Sequence, residues 1–315
     1  MQRFVLLCLA ATAFAAVQNV TFEPKRAVPD EAKTVLGSMH KKFQHRSDIA
    51  DLINGLTTQM TLQHAEMLSG EARDSSLFTR TSASINSSQG IMIAIAYVEA
   101  KMVSYGFETE RHWFREDWGP NLIAWKRGTL SPDQLVVMGT HLDDVPAQGR
   151  APGANDDGSG SAALLATGQA ISEADATFGR TLVLEFYSGE EQGLVGSRAL
   201  AKRRADEGDN VIAQLQQDMT AVQLFDDPVG VAFVRDTRAT DPTLTKYAMD
   251  VAKEYRPAGL TLFDRVISGS ECCSDHQAYA ENGFPAVGYI EPRGYTGDPQ
   301  YHRAGDLVRR TEYNA

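Results

Sequence analysis

Three cysteines in 315 residues are too few to staple a small scaffold, and none stands in a C-x-x-C or spaced Cys/His pattern. Neither a disulfide framework nor a zinc ribbon therefore defines this fold. Proline is sparse at 12 residues and hydrophobic residues make up 43%, which excludes collagen-like, low-complexity and disordered classes. Basic residues are outnumbered, 30 Lys+Arg against 41 Asp+Glu. The resulting net charge of −11 removes the long-range attraction that nucleic acid or an anionic membrane surface would exert. No linker-like stretch or internal repeat interrupts the main body of the chain.

A bilayer-length apolar run is absent at the start of the chain as well. The run at 4–11 falls well short of the roughly 20 residues that span a membrane. With Arg3 before it and Ala13-Phe14-Ala15 after it, residues 1–15 read as a secretory signal, which predicts an exported, extracellular protein without a membrane anchor. The sequons at Asn19 and Asn86 are compatible with a glycoprotein. Residues 16–45 are polar, carry Pro24 and Pro29 and read as an N-terminal extension or propeptide. Residues 46–315 form the remaining unit.

Within that unit the spacing of apolar residues predicts helices over 49–67 and 90–104, the latter on Ile91, Ile93, Ile95, Val98 and Met102 with Gly106 as a stop. Further helices are predicted over 159–172, 194–206 and 242–255, and strands over 121–125, 135–138, 181–187 and 229–234. Several strands are apolar throughout, as when both faces of a sheet are covered. This alternation predicts one layered α/β domain.

What the chain does have is acid and histidine at the ends of its strands. His141, Asp143 and Asp144 follow one, Glu190 and Glu191 a second, and Asp218 follows the segment 211–217. Sites in open α/β sheets form outside the carboxyl ends of the strands, so these groups are expected in one crevice. The loop GRAPGANDDGSG (149–160) adds Asp156 and Asp157, Asp275 and His276 precede a later helix, and His302 lies in a polar loop. Crowded carboxylates repel unless a cation lies between them, and a mix of imidazole and carboxylate without thiolate suits zinc or a similar divalent ion. A metal hydrolase is the natural reading. Gly158, Gly160 and Ala163 match G-x-G-x-x-A, but they follow an Asn-Asp-Asp loop whose charge would repel a pyrophosphate. No G-x-S-x-G elbow, H-E-x-x-H helix or Walker loop is present.

Six blocks, GTHLDD (139–144), APGANDDGSG (151–160), YSGEEQGLVGS (187–197), QDMT (217–220), CSDHQAY (273–279) and the late His302, resemble in order and spacing the M28 family of secreted zinc aminopeptidases, of the bacterial and fungal leucyl aminopeptidase type. The resemblance implies a three-layer α/β/α fold with a mixed, mostly parallel central sheet in a single zinc-exopeptidase domain. It implies two zinc ions per chain, His141 and Asp218 on one, Glu191 and His302 on the other, with Asp156 bridging them. Glu190 would be the general base toward a metal-activated water, and Asp143, two residues after His141, would orient the imidazole through its carboxylate. Asp275 and His276 would be supporting structure. The substrate would be the N-terminus of a peptide or protein, taken by a monomer, with the acid cluster also attracting its ammonium group.

The chain departs from the family at several points. Cys272 and Cys273 are adjacent where relatives space a disulfide pair. Neighbouring Cα atoms lie about 3.8 Å apart against about 5.5 Å in ordinary bridges, so two thiols or a vicinal ring are expected. Glu271 replaces a pocket aromatic, which predicts activity on Lys or Arg beside an apolar wall of Met219, Ile290, Tyr295 and Tyr301. The chain stops soon after His302, where relatives continue into a closing helix. Two other readings share the fold: a glutaminyl-peptide cyclotransferase with one zinc, and a catalytically silent binding homologue. The intact His141 and Glu190-Glu191 set favours the peptidase.

Overall fold

The structure, a computed structural model, describes residues 44–72, 79–81, 89–146, 149–222, 230–236, 241–267 and 274–310. The signal, residues 16–43 of the extension, both sequons, Glu271, Cys272 and Cys273 lie outside the described residues. Two helices open it, α1 (Ser47–Gly55) and α2 (Thr58–Ser69), followed by α3 (Gly90–Ser104). The sheet strands are β1 (Glu108–His112), β2 (Asn121–Lys126), β3 (Ser131–His141), β4 (Arg180–Tyr187), β5 (Asn210–Gln217), β6 (Gly230–Asp236), β7 (Thr261–Ile267) and β8 (Ala286–Ile290). Between them run α4 (Gly158–Glu173), α5 (Val195–Glu207), α6 (Pro242–Tyr255) and α7 (His276–Glu281).

All eight strands join one sheet in the order β1-β2-β4-β3-β5-β8-β6-β7. The pairs β3/β4, β3/β5, β5/β8 and β6/β7 are parallel; β1/β2, β2/β4 and β6/β8 are antiparallel. The period of two along each strand divides the core. Leu122, Ala124, Val136, Met138, Leu182, Leu184 and Phe186 pack under α2, α3, α4 and α6, whereas Ile123, Val137, Val183 and Tyr187 face α5 and α7. That is the three-layer α/β/α arrangement. Complete burial of a side chain such as Leu184 or Phe186 contributes about 1.5–3 kcal/mol.

The structure corrects the expected elements in three places. The single helix expected over 49–67 is two, because Thr57 turns extended and its hydroxyl accepts the Met60 N–H, capping α2. In α3 the buried face is Ile91, Ala94, Ile95, Val98 and Met102, and Ile93 is 47% exposed, as helical spacing requires. Strands β1, β7 and β8 were not expected. β1 is a polar edge (ETERH), and β8 is five residues long with a glycine inside, too short for a period to emerge. Among the described residues no helix is long and apolar enough to cross a membrane.

One buried histidine gives the fold a sensitivity to acid. His64 on α2 faces Tyr97 on α3 and Tyr105 at its end, with ring-to-hydroxyl distances of 2.6 and 3.3 Å. Burial, then the nearby Lys101 charge, pushes its pKa down from 6.5 to about 4. The unfolded chain binds this proton near pH 6.5 and the folded one only near 4, so the folded state is undisturbed above 6.5 and loses stability as pH falls between those values. The loss amounts to roughly 3 kcal/mol. Urea unfolding at pH 7 and 4.5 should show His64→Gln losing less stability than the wild type by most of that amount; parallel losses would refute the assignment.

Candidate metal centre

The adjacent parallel strands β4, β3, β5 and β8 all end at the same edge of the sheet. From β3 the chain passes through α4 to β4 on one side, and from there through α5 to β5 on the other. A crevice therefore opens outside the end of β3. His141 is the last residue of β3 and pairs in register with Tyr187 at the end of β4. Glu190 and Glu191 follow β4, Asp218 follows β5, Asp156 comes from the loop entering α4, and His302 from the loop after β8.

Asp156 lies between the two histidines. Its Oδ1 is 3.2 Å from His141 Nε2 and its Oδ2 is 3.1 Å from His302 Nε2. His141 Nε2 is also 3.5 Å from Asp218 Oδ1, and His302 Nε2 is 2.9 Å from Glu191 Oε2. Two groups that could each hold a metal ion result, His141/Asp156/Asp218 and Asp156/Glu191/His302, sharing one carboxylate. His276 belongs to neither; it is buried, with its ring against Gly288. His302 adopts φ 56° and stacks on Tyr301, ring centroids 3.7 Å apart.

Asp143 acts differently from the expectation. Its carboxylate stands 3.9 Å from His141 Nδ1, beyond hydrogen-bond reach, and instead accepts the Glu190 N–H at 3.2 Å. The main-chain carbonyl of Asp143 is what meets His141 Nδ1, at 3.0 Å. A carbonyl can only accept, so Nδ1 carries a proton and Nε2 is the ring nitrogen turned toward Asp156 and Asp218.

The NDD loop is held by residues that motif reasoning passed over. Asp306 accepts the N–H groups of Asn155 and Asp156 at 2.8 and 3.1 Å. Asn155 reaches Glu291 at 3.2 Å and accepts the Ala221 N–H at 2.9 Å. Asp157 caps α4, accepts the Met219 N–H at 3.2 Å and bonds the Thr140 hydroxyl, which ties β3, β5 and the loop together. Arg80 is fully buried and donates to the carbonyls of Leu68, Leu142, Pro152 and Gly153 at 2.7 to 2.9 Å, beside Asp144 at 3.2 Å. Gly153 has φ 57°, and a Cβ there would stand 2.7 Å from Arg80 Nη2, so only glycine fits. Asp306 had one signal, a further acid four residues after His302; Arg80 had none.

Within this cluster Asp156 Oδ2, Glu191 Oε1, Asp218 Oδ1 and His302 Nε2 are buried with no hydrogen-bond partner among the described residues. Orphaned atoms of this kind, converging from four loops, fit a divalent cation. The acid–base balance points the same way. Burial, with the facing Asp275, Glu191 and Asp218, pushes Glu190 well above the usual carboxylate range against the pull of His141. Burial and Asp156 raise Glu191 to about 8. Burial opposes a charge on His302, yet the close carboxylates of Asp156 and Glu191 outweigh it and raise its pKa to about 10. The site asks for positive charge, and nitrogen and oxygen donors without sulfur suit zinc.

Beside the cluster lies a cavity of about 340 Å³, bounded by His141, Asp156, Glu190 and Asp218 on one side and by Met219, Val234, Ile290, Tyr295 and Tyr301 on the other. Four of the expected pocket residues thus border it, and Arg265, which sequence reasoning missed, lines it too.

The sequence profile of peptidase family M28 matches residues 121–315. The chain is similar to a probable leucine aminopeptidase of Trichophyton verrucosum, 28% identical over 281 residues, covering 85% of this chain and 72% of that one. Across eight curated relatives, all named as leucine aminopeptidases or probable ones, the chain spans from 48% to 75% of their own length. In fold it is similar to the LapA aminopeptidase of Legionella pneumophila, with a TM-score of 0.68 at 22% identity over 94% of this chain and 73% of that one. A glutaminyl cyclase of Porphyromonas gingivalis shares the fold, with a TM-score of 0.62 at 17% identity over 82% and 93% of the two chains.

Proposed function

The chain belongs to peptidase family M28, and on that premise we propose that it is a two-zinc aminopeptidase, exported behind its leader at 1–15 and acting as a monomer on peptide N-termini. The observation that carries this reading is Asp156, which offers one oxygen to each of two histidine-carboxylate groups. His141, Asp218 and Asp156 would hold one ion, and Glu191, His302 and Asp156 the other. Zinc so bound supplies electrophilic chemistry, acidifying water and polarising the scissile carbonyl.

The protein's own groups do the rest. Asp143 fixes the His141 tautomer through its carbonyl and anchors the Glu190 main chain through its carboxylate. Glu190, on the cavity wall with its carboxyl pushed up by burial, takes the proton of the attacking water and passes it to the departing amine. The carboxylates of Asp156, Glu190 and Asp218 around the mouth attract the free ammonium of a substrate and disfavour a blocked end.

The direct test is metal content together with release of amino acids. Full-length protein should contain two zinc ions, lose activity to a chelator, and cleave unblocked peptides while leaving N-acetylated ones intact. One zinc with pyroglutamate as product would establish the cyclotransferase reading instead. Equal cleavage of blocked and free peptides would remove the exopeptidase assignment.

A further inference from the structure

Resting on the aminopeptidase reading, we propose that Arg265 sets the preference of this enzyme for an anionic first residue, its guanidinium receiving the side-chain carboxylate of an N-terminal Glu or Asp. Arg265 lies on β7 and lines the same cavity as His141, Glu190 and Asp218. It is the one Arg or Lys among the described lining residues. Around it, Val234, Met219 and Ile290 offer an apolar wall for the methylenes of a Glu side chain.

Arg265 is not built like the structural arginines of this protein. Arg80 spends its donors on four carbonyls, and Arg204 is held by Glu185 and Asp209. Among the described residues Arg265 makes one hydrogen bond, Nη1 to the Pro292 carbonyl at 3.3 Å, and no ion pair, so most of its five donors are uncommitted. Gly294 keeps its place open: a Cβ there would stand 2.6 Å from Arg265 Nη1. A planar guanidinium with spare parallel donors recognises a carboxylate bidentately, and an apolar surround strengthens that contact. A basic first residue would meet like charge.

Unblocked Glu-, Gln-, Leu- and Lys-4-nitroanilides on the full-length zinc enzyme test this. Wild type should favour Glu over its isostere Gln by at least about tenfold in kcat/KM, and Arg265→Met should remove about ten- to a hundredfold of the Glu activity while leaving Leu and Gln nearly unchanged. Arg265→Lys should keep part of the Glu preference. Parity of Glu and Gln in wild type, a preference for Lys, or an equal drop on every substrate in Arg265→Met would overturn the proposal. A carboxylate could also arrive as the C-terminus of a dipeptide. Loss in Arg265→Met of a Leu-Gly over Leu-Gly-amide preference, with Glu-nitroanilide unaffected, would assign Arg265 to that end and overturn the proposal. Wild type that cleaves Leu but not Glu sinks this inference alone, whereas no turnover of any unblocked substrate sinks the aminopeptidase reading and this inference with it.

Discussion

Glu190→Gln is expected to lower kcat by about a thousandfold while metal content and thermal stability stay at wild-type values. The substitution keeps size and shape, and the turn that carries Glu190 is made by the main chain. Its N–H goes to Asp143, and its carbonyl accepts from Gly193 and Leu194, both at 2.8 Å. Neither metal-binding group includes Glu190, so both should remain intact. What disappears is the part of the carboxyl in carrying a proton from water to amine. Steady-state kinetics on an unblocked peptide, with zinc measured on the same sample, decides the matter. A variant retaining a tenth of the activity would remove Glu190 from the reaction.

Asp156→Asn should be the most damaging single change to metal binding, because one residue serves both groups. Asparagine offers a carbonyl oxygen to one side and an amide NH2 to the other, and an NH2 cannot bind a cation. Zinc content after dialysis is expected to fall on both sides, below one ion per chain, with activity down by about a thousandfold or more, beyond the ~10–100-fold that loss of a supporting partner costs. Asp218→Asn and Glu191→Gln each touch one group and should each retain one ion. Since an ion bound only by the folded state stabilises it by about 4 kcal/mol at a thousand times its Kd, the thermal shift on adding zinc should shrink in the same order. Asp156→Asn holding two ions would contradict the bridging role.

The elements carrying these groups were legible to different degrees, for physical reasons. Strands β2, β3 and β4 each hold a run of at least three apolar residues, as burial on both faces favours, so they declare themselves, and β5 shows through its opening Val-Ile-Ala. β1 lies at the edge and meets water, β7 lies at the other edge, and β8 follows Pro285 with too few residues for a period to emerge. His141, Glu191 and Asp218 could be placed in one crevice because each lies at or shortly after the carboxyl end of a strand. The part of Asp143 could not be read, since main-chain carbonyls have no sequence signature and its carboxylate turned out to serve Glu190. Arg265 was equally silent, because a lone arginine in a strand gives no hint of which cavity it enters.

Arg80 bears on how this chain can be dissected. The family match begins at residue 121, yet the guanidinium that gathers the carbonyls of Leu142, Pro152 and Gly153 comes from a segment well upstream. A fragment cut at the start of that match would leave those carbonyls, and the carboxylate of Asp144, facing an empty slot directly beneath the loop that presents Asp156. The recognised stretch of sequence is thus shorter than the portable unit, which must reach back at least to Leu68 to bring its own keystone.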